Sequence, residues 1–384
     1  MSAMRRSLLI ALPIAVVATI GPAAVVATPA LAAGTTGAGY VWANDPTAAF
    51  YTPSAGYNFN STDPSDAVNT ISRTEDATGP LYTIRFPDLG LVGGTVRVTA
   101  YGSGSAACQV QGWAPLGDDQ LVWVRCFNNA GTAINSRFTV AYTNVESPPD
   151  GELAFVWSNN ATTTLHTPYT PNLTYQANSA GGNITITRSS TGVYIVHMPG
   201  IGNPATTHVQ VTPYGSTPAR CVTSGWGYNL AGNAQDANVR CFSMDGDPMD
   251  SRFTLTLAAE TNILGLANCC DPDGYSSAYA LVYTPEVNGE FEIWEPSEFT
   301  SNPFATGVGN RLGVGRYTVN WNPHISHGPG NVQVTAYSGE AVNCKVVIWN
   351  NASGINVNCF DADGDAADSS FTLAFTGAFQ VIVP

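Results

Sequence analysis

CFNNAGTAINSRFT (Cys126–Thr139), CFSMDGDPMDSRFT (Cys241–Thr254) and CFDADGDAADSSFT (Cys359–Thr372) align without a gap. One unit therefore occurs three times. Upstream of each stretch lies a second shared block: VRVTAYG from Val96, VQVTPYG from Val209 and VQVTAYS from Val332. Between the blocks stand Cys108, Cys221 and Cys344, each followed five residues later by Trp113, Trp226 or Trp349. Further upstream come PLYTIRF, GVYIVHM and GRYTVNW, and before them the tripeptide YTP at Tyr51, Tyr169 and Tyr283. A repeat of roughly 105–120 residues has the size of a small domain, not of a solenoid repeat.

Within each copy the hydrophobic period is two. Val96, Val98 and Ala100 share one face of their strand, and Arg97, Thr99 and Tyr101 the other. Val122, Val124 and Cys126 share a face in the same way, as do Ile355, Val357 and Cys359. About eight such short strands per unit, broken by Gly, Pro, Asn and Asp, predict an all-β fold. The expected architecture is three tandem antiparallel β-sandwich units of the jelly-roll or immunoglobulin-like kind. The units span 33–145, 151–261 and 276–384, joined by linkers at Thr143 to Gly151 and near Ala259 to Ser277.

The chain opens with Arg5 and Arg6, an apolar run from Leu8 to Val26, and the small-residue site Ala30-Leu31-Ala32. This is the pattern of a secretory signal peptide over residues 1–32. A retained anchor is the rival reading, weakened by Pro13, Gly21 and Pro22. Export makes a disulfide reading of the eight cysteines natural. The pairs Cys108–Cys126, Cys221–Cys241 and Cys344–Cys359 recur once per unit, on neighbouring strands and on the apolar face. Zinc would need a second Cys or His pair at ligand spacing, and none is near. Cys269 and Cys270 have no counterpart in the other copies; a vicinal bond is favoured over a link to another chain.

The net charge of -14 at only 11% charged residues, with Lys345 the sole lysine, sets the surface character. Such a surface lacks the basic patch that nucleic acid or an anionic membrane requires. It suits a secreted, extracellular protein. No G-x-S-x-G, H-E-x-x-H or phosphate-binding glycine loop is present. His324 and His327 fall in a loop of the third copy alone, as do Glu286, Glu290, Glu292, Glu295 and Glu298. Nothing of catalytic type repeats, so no enzyme is expected.

The three turns share a glycine (Gly131, Gly246, Gly364) and an Asx residue (Asn135, Asp250, Asp368). Those are hairpin requirements: glycine takes positive φ freely, and Asx bonds nearby backbone. The carboxylates added in copies two and three make calcium a candidate there. Asp245, Asp247 and Asp250 would serve in one copy, and Asp361, Asp363, Asp365 and Asp368 in the other. No other cofactor is expected.

The combination YTP … VQVTAYG … C-x-V-x-x-W … VxVxCF … DSRFT resembles a repeat of exported bacterial proteins to which no role is assigned. The resemblance implies secretion and a β-fold and carries no functional residue across. By strand parity, Tyr101, Tyr214 and Tyr337 face away from the core. Trp113, Trp226 and Trp349 fall on that outward face too, unless a bulge near Gly112 or Gly225 flips the register. Exposed aromatic faces of this kind would suit an extracellular glycan or a protein partner. The expected function is non-catalytic binding or adhesion at the cell surface. The alternatives are a secreted glycan-active hydrolase and a structural spacer or stalk.

Overall fold

The computed structural model describes residues 36–377 except 65, 67, 268–275, 284–288, 294–297, 302–304 and 322–327. The leader, the Cys269-Cys270 pair, His324 and His327 lie outside these residues. The described chain is nearly all β, with no α-helix and two short 3-10 turns. No helix among the described residues is long and apolar enough to cross a membrane.

Each copy folds as a sandwich of two half-sheets. In the first copy one half holds Ala38–Ala43, Arg137–Thr143 and Thr95–Tyr101; the other holds Ala107–Leu116, Asp119–Phe127 and Gly79–Phe86. Val98, Phe138 and Val140 from one half meet Ile84, Val110 and Val124 from the other in a buried core. Copies two and three repeat this core around Leu255 and Val239, and around Leu373 and Val357. The alternation read in the sequence is what lets one face of every strand enter these cores.

The three copies are not strung as separate domains. Each half-sheet continues into a half-sheet of the neighbouring copy through one parallel join: Tyr101 beside Val346, Tyr214 beside Val110, Tyr337 beside Thr223. The joins run from copy one to three, two to one and three to two, so the ring closes. Three composite sheets of nine, ten and eight strands result. The edge strand that a lone sandwich would leave open is thereby paired.

Closure creates a second interior along the pseudo-threefold axis, and it is polar. Thr212 Oγ1 accepts from the Val98 N–H at 3.2 Å, Thr335 Oγ1 from Val211 at 3.0 Å, and Thr99 Oγ1 from Val334 at 2.9 Å. Thr139, Thr254 and Thr372 donate to the carbonyls of Val332, Val96 and Val209 at 2.7–2.8 Å. Both sets of threonines are cyclic across the copies. The residues on the far face of VRVTAYG therefore do leave their own core, but only to enter the axial one. A buried hydroxyl left unpaired would cost about 1–3 kcal/mol, so each of these bonds also holds the register of the ring.

The disulfides Cys108–Cys126, Cys221–Cys241 and Cys344–Cys359 form as read from the sequence, with the two cysteines directly opposite in the ladder. They fit a compartment outside the reducing cytoplasm. Replacing Cys344 and Cys359 together by alanine should lower stability by about 3 kcal/mol, read by urea unfolding. A loss under about 1 kcal/mol would show that the shared sheets already restrain the unfolded chain.

Two sequence expectations change here. The YTP of copy three is not equivalent to the other two. Tyr51 and Tyr169 lie opposite Ile71 and Ile186, whereas the corresponding position opposite Gly309 is Phe291. Tyr283 instead follows the strand Ser276–Val282. The Trp-bearing strands all carry the bulge that strand parity left open: Gln111, Ser224 and Val347 are skipped in the pairing. The residue before each bulge accepts the N–H of the neighbouring copy, Gly215 to Val110, Ser338 to Thr223 and Gly102 to Val346, at 2.8–2.9 Å. The bulge thus accompanies the inter-copy join and needs no glycine, since Val347-Ile348 form it as well.

Candidate functional site

The bulge turns each tryptophan toward the seam where its copy meets the next. In the seam between copies one and two, Trp113 packs against Tyr214, Tyr175 and Trp157 with ring centroids 5.6, 5.5 and 6.1 Å away. In the seam between copies three and one, Trp349 packs against Tyr101, Tyr57 and Trp42 at 5.6, 5.5 and 5.7 Å. Trp113 is 7% exposed and Trp349 3%. The tyrosines and tryptophans expected on an outward face are instead partnered across copies, tyrosine of one with tryptophan of the next. They form no exposed platform in these two seams.

The third seam differs. Trp226 is half-buried and meets Tyr337 at 5.5 Å, and Tyr337 meets Tyr283 at 5.6 Å. Two substitutions open it. Trp42 and Trp157 lie opposite Thr139 and Thr254, but opposite Thr372 stands Leu281. Arg137 and Arg252 lie over the rings of Tyr101 and Tyr214 at 5.0 and 4.9 Å. Beside Tyr337 that strand position is Ser370. Removing an indole and a guanidinium leaves a groove of about 430 Å³, against a recess of about 190 Å³ at the seam of copies three and one.

The groove is walled by Trp226, Tyr228, Tyr283 and Tyr337, with Leu281 also in its lining. Its polar groups are amides and hydroxyls: Asn203, Thr207 and Gln235, and no described lining residue is charged. Trp226 Nε1 donates to Thr207 Oγ1 at 2.9 Å, and Tyr228 Oη to Asn233 Oδ1 at 2.9 Å, which fixes both rings. Gln235 Nε2 donates to the Gly202 carbonyl at 2.8 Å, while its Oε1 is buried without a partner among the described residues. Burial, then the neighbouring Tyr283 hydroxyl, push Tyr337 up to about 12, so its hydroxyl stays a donor at neutral pH.

The turn aspartates do structural work. Asp250 and Asp368 are each held by an arginine and a tyrosine of their own copy. Arg188 donates to the Asp250 carboxylate at 2.8 Å and Arg311 to that of Asp368 at 3.0 Å. Tyr194 and Tyr317 donate to the same carboxylates, as Tyr82 does to Asn135 Oδ1. The hydrogen bond from Arg311 holds Asp368 near 2. Asp361 Oδ1 accepts from the Asp365 N–H at 2.9 Å, just as Asn128 Oδ1 accepts from Thr132 in copy one at 2.9 Å. Gly364, with φ of 87°, packs so tightly on Asn129 of copy one that a Cβ would lie 1.5 Å from its Nδ2. Arg220 of copy two spans this junction, donating to the Asp361 carbonyl at 2.6 Å and to Asn129 Oδ1 at 3.2 Å. Asp245 and Asp247 lie in the copy-two turn and Asp361, Asp363 and Asp365 in that of copy three, and no group of three or more metal-ligating side chains forms among the described residues.

Of the copy-three glutamates, Glu298 accepts from Trp321 Nε1 at 2.9 Å and so braces its own unit. His197 Nδ1 lies 2.6 Å from Asp236 Oδ1. This pair sits on the opposite face of its strand from Gln235, and so away from the groove. Sequence reading missed Trp42, Trp157, Tyr57, Tyr175, Tyr228 and Leu281. Lining up the first strand of each copy would have exposed the Trp, Trp, Leu series, and DSSFT against DSRFT already carried the Ser370 change.

Comparison with protein families, curated proteins and solved structures gives no match. The chemistry of the groove is what bears on function.

Proposed function

We propose that the chain is a secreted, non-catalytic binding protein that seats a neutral saccharide in the groove between copies two and three. The observation that carries this reading is the broken symmetry. Two seams are closed by a fourth aromatic ring, and the third is opened by Leu281 and Ser370 into a cavity of about 430 Å³. Aromatic walls offer apolar area to the C–H faces of a sugar ring, while fixed amides and hydroxyls match its hydroxyls. The absence of charge among the described lining residues favours an uncharged ligand, because an unpaired charge would be desolvated there. The volume falls within the ~300–1,000 Å³ usual for small-molecule sites. The signal-peptide-like pattern of residues 1–32, the disulfides and the acidic, lysine-poor composition are consistent with an extracellular setting.

The reading is tested on a glycan array, followed by calorimetry with whichever neutral oligosaccharide is retained. Trp226→Ala and Tyr283→Ala should each weaken binding about tenfold or more, a loss of ~1.4 kcal/mol. Leu281→Trp should fill the groove as Trp42 and Trp157 fill theirs, abolishing binding with stability kept or raised. Retention of binding in Leu281→Trp, or no neutral glycan retained by the wild type, overturns the proposal.

A further inference from the structure

Next to the threonine layer, the axial position held by Gln210 in copy two and Gln333 in copy three is Arg97 in copy one. The glutamines are satisfied. Gln210 Nε2 donates to Thr372 Oγ1 at 3.1 Å, and Gln333 Nε2 to Thr139 Oγ1 at 3.2 Å and Asn331 Oδ1 at 2.7 Å. Arg97 is 1% exposed and makes one bond, from Nη1 to Thr256 Oγ1 at 3.0 Å. Its Nε and Nη2 are buried with no hydrogen-bond partner among the described residues. Burial pulls its pKa down to about 9, and no carboxylate among the described residues offsets this. A guanidinium at that value still carries its charge at neutral pH.

A second donor of the same kind stands nearby. His208, wholly buried, accepts from Gln210 Nε2 through its own Nε2 at 2.8 Å. The Gln210 amide is oriented by its Oε1, which accepts from Thr335 Oγ1 at 2.7 Å. The proton of neutral His208 therefore sits on Nδ1, and Nδ1 is buried without a partner among the described residues. Arg97 lies close enough for its charge to act on His208. Thr95, two residues before Arg97 on the same strand face, adds a buried hydroxyl with no partner among the described residues.

We propose that the axis holds a small monovalent anion, chloride in a physiological medium, bound by Arg97 Nε and Nη2 with His208 Nδ1–H as a further donor. A buried charge left without a counter-charge costs several kcal/mol, whereas one with an ion against it does not. The unsatisfied groups are a cation and N–H donors, which is the set an anion completes. Water would supply the hydrogen bonds and leave the charge. Because its donors come from copies one and two, the ion would bind only when these copies are closed on each other at the axis, and it would act as a bolt for that join.

The test uses the full chain and compares chloride with gluconate at constant ionic strength. Wild-type Tm should rise about 3–5 °C between chloride well below its Kd and a hundredfold above it. Arg97→Gln restores the glutamine of the other two copies. It should fold, lose the chloride response, and melt in gluconate at or above the wild type. Crystals grown in bromide should show an anomalous peak within hydrogen-bond distance of Arg97 Nε or Nη2, a readout that does not depend on the variant. Equal melting of the wild type in chloride and gluconate, an equal chloride response in Arg97→Gln, or no bromide peak on the axis would each overturn the proposal.

Discussion

Trp113→Ala and Trp349→Ala should each lower stability by about 3–5 kcal/mol, while Trp226→Ala should cost clearly less. The first two indoles are buried to 7% and 3% exposure, each against three aromatic rings from the neighbouring copy. Those rings are themselves fixed by the composite sheet, so they cannot collapse into the space an indole leaves. Trp113 also loses its 2.8 Å bond to the Gly93 carbonyl, worth about 1 kcal/mol, whereas Trp349 Nε1 has no partner among the described residues. Trp113→Ala should therefore be the more damaging of the pair. Trp226 borders the groove and is half-buried, so less contact disappears with it. Urea unfolding with ligand-free protein measures all three. Equal losses at the three positions would mean that the third seam is as closed as the others, and the groove reading would fail with it.

Acidification should destabilise the folded protein from about pH 6.5 downward, well before its carboxylates titrate. In a chloride-free gluconate medium, with no anion on the axis, burial first, and then the charge of Arg97, lower the His208 pKa from 6.5 to about 3. Between those values the unfolded chain binds a proton at His208 that the folded protein excludes. Stability therefore rises with pH across this window, or falls on acidification, by about 1.4 kcal/mol per pH unit. Asp368, held near 2 by the Arg311 hydrogen bond, adds a loss of the same sign only below its ordinary 3.8. Glu152, raised from 4.5 by burial, works in the opposite sense near its own value. His208→Gln isolates the histidine. The variant should show a nearly flat profile between pH 6.5 and 5, where the wild type slopes. A wild-type profile already flat over that range would show that His208 is protonated in the folded state.

What the residues alone settled is local. Alternation in VRVTAYG and its two counterparts specified strands, and the repeat of Cys, Phe and Thr at equal spacing specified three equivalent sandwiches with one disulfide each. The shared glycine and Asx of the turns were legible for the same reason: backbone conformation and short-range hydrogen bonds depend on neighbours in sequence. The far face of those strands was not legible. Arg97, Thr99 and Tyr101 read as an outward face, since polarity on alternate residues looks the same whether water or another copy's hydroxyl completes the bond. The direction of Trp113, Trp226 and Trp349 hung on one skipped residue, and that bulge is tied to a join with a strand more than a hundred residues away. Only closure of the ring paired tyrosine of one copy with tryptophan of the next, and only then did Leu281 and Ser370 become an opening rather than two unremarkable substitutions. A groove is made by what fails to fill it, and that depends on neighbours that are distant in the chain.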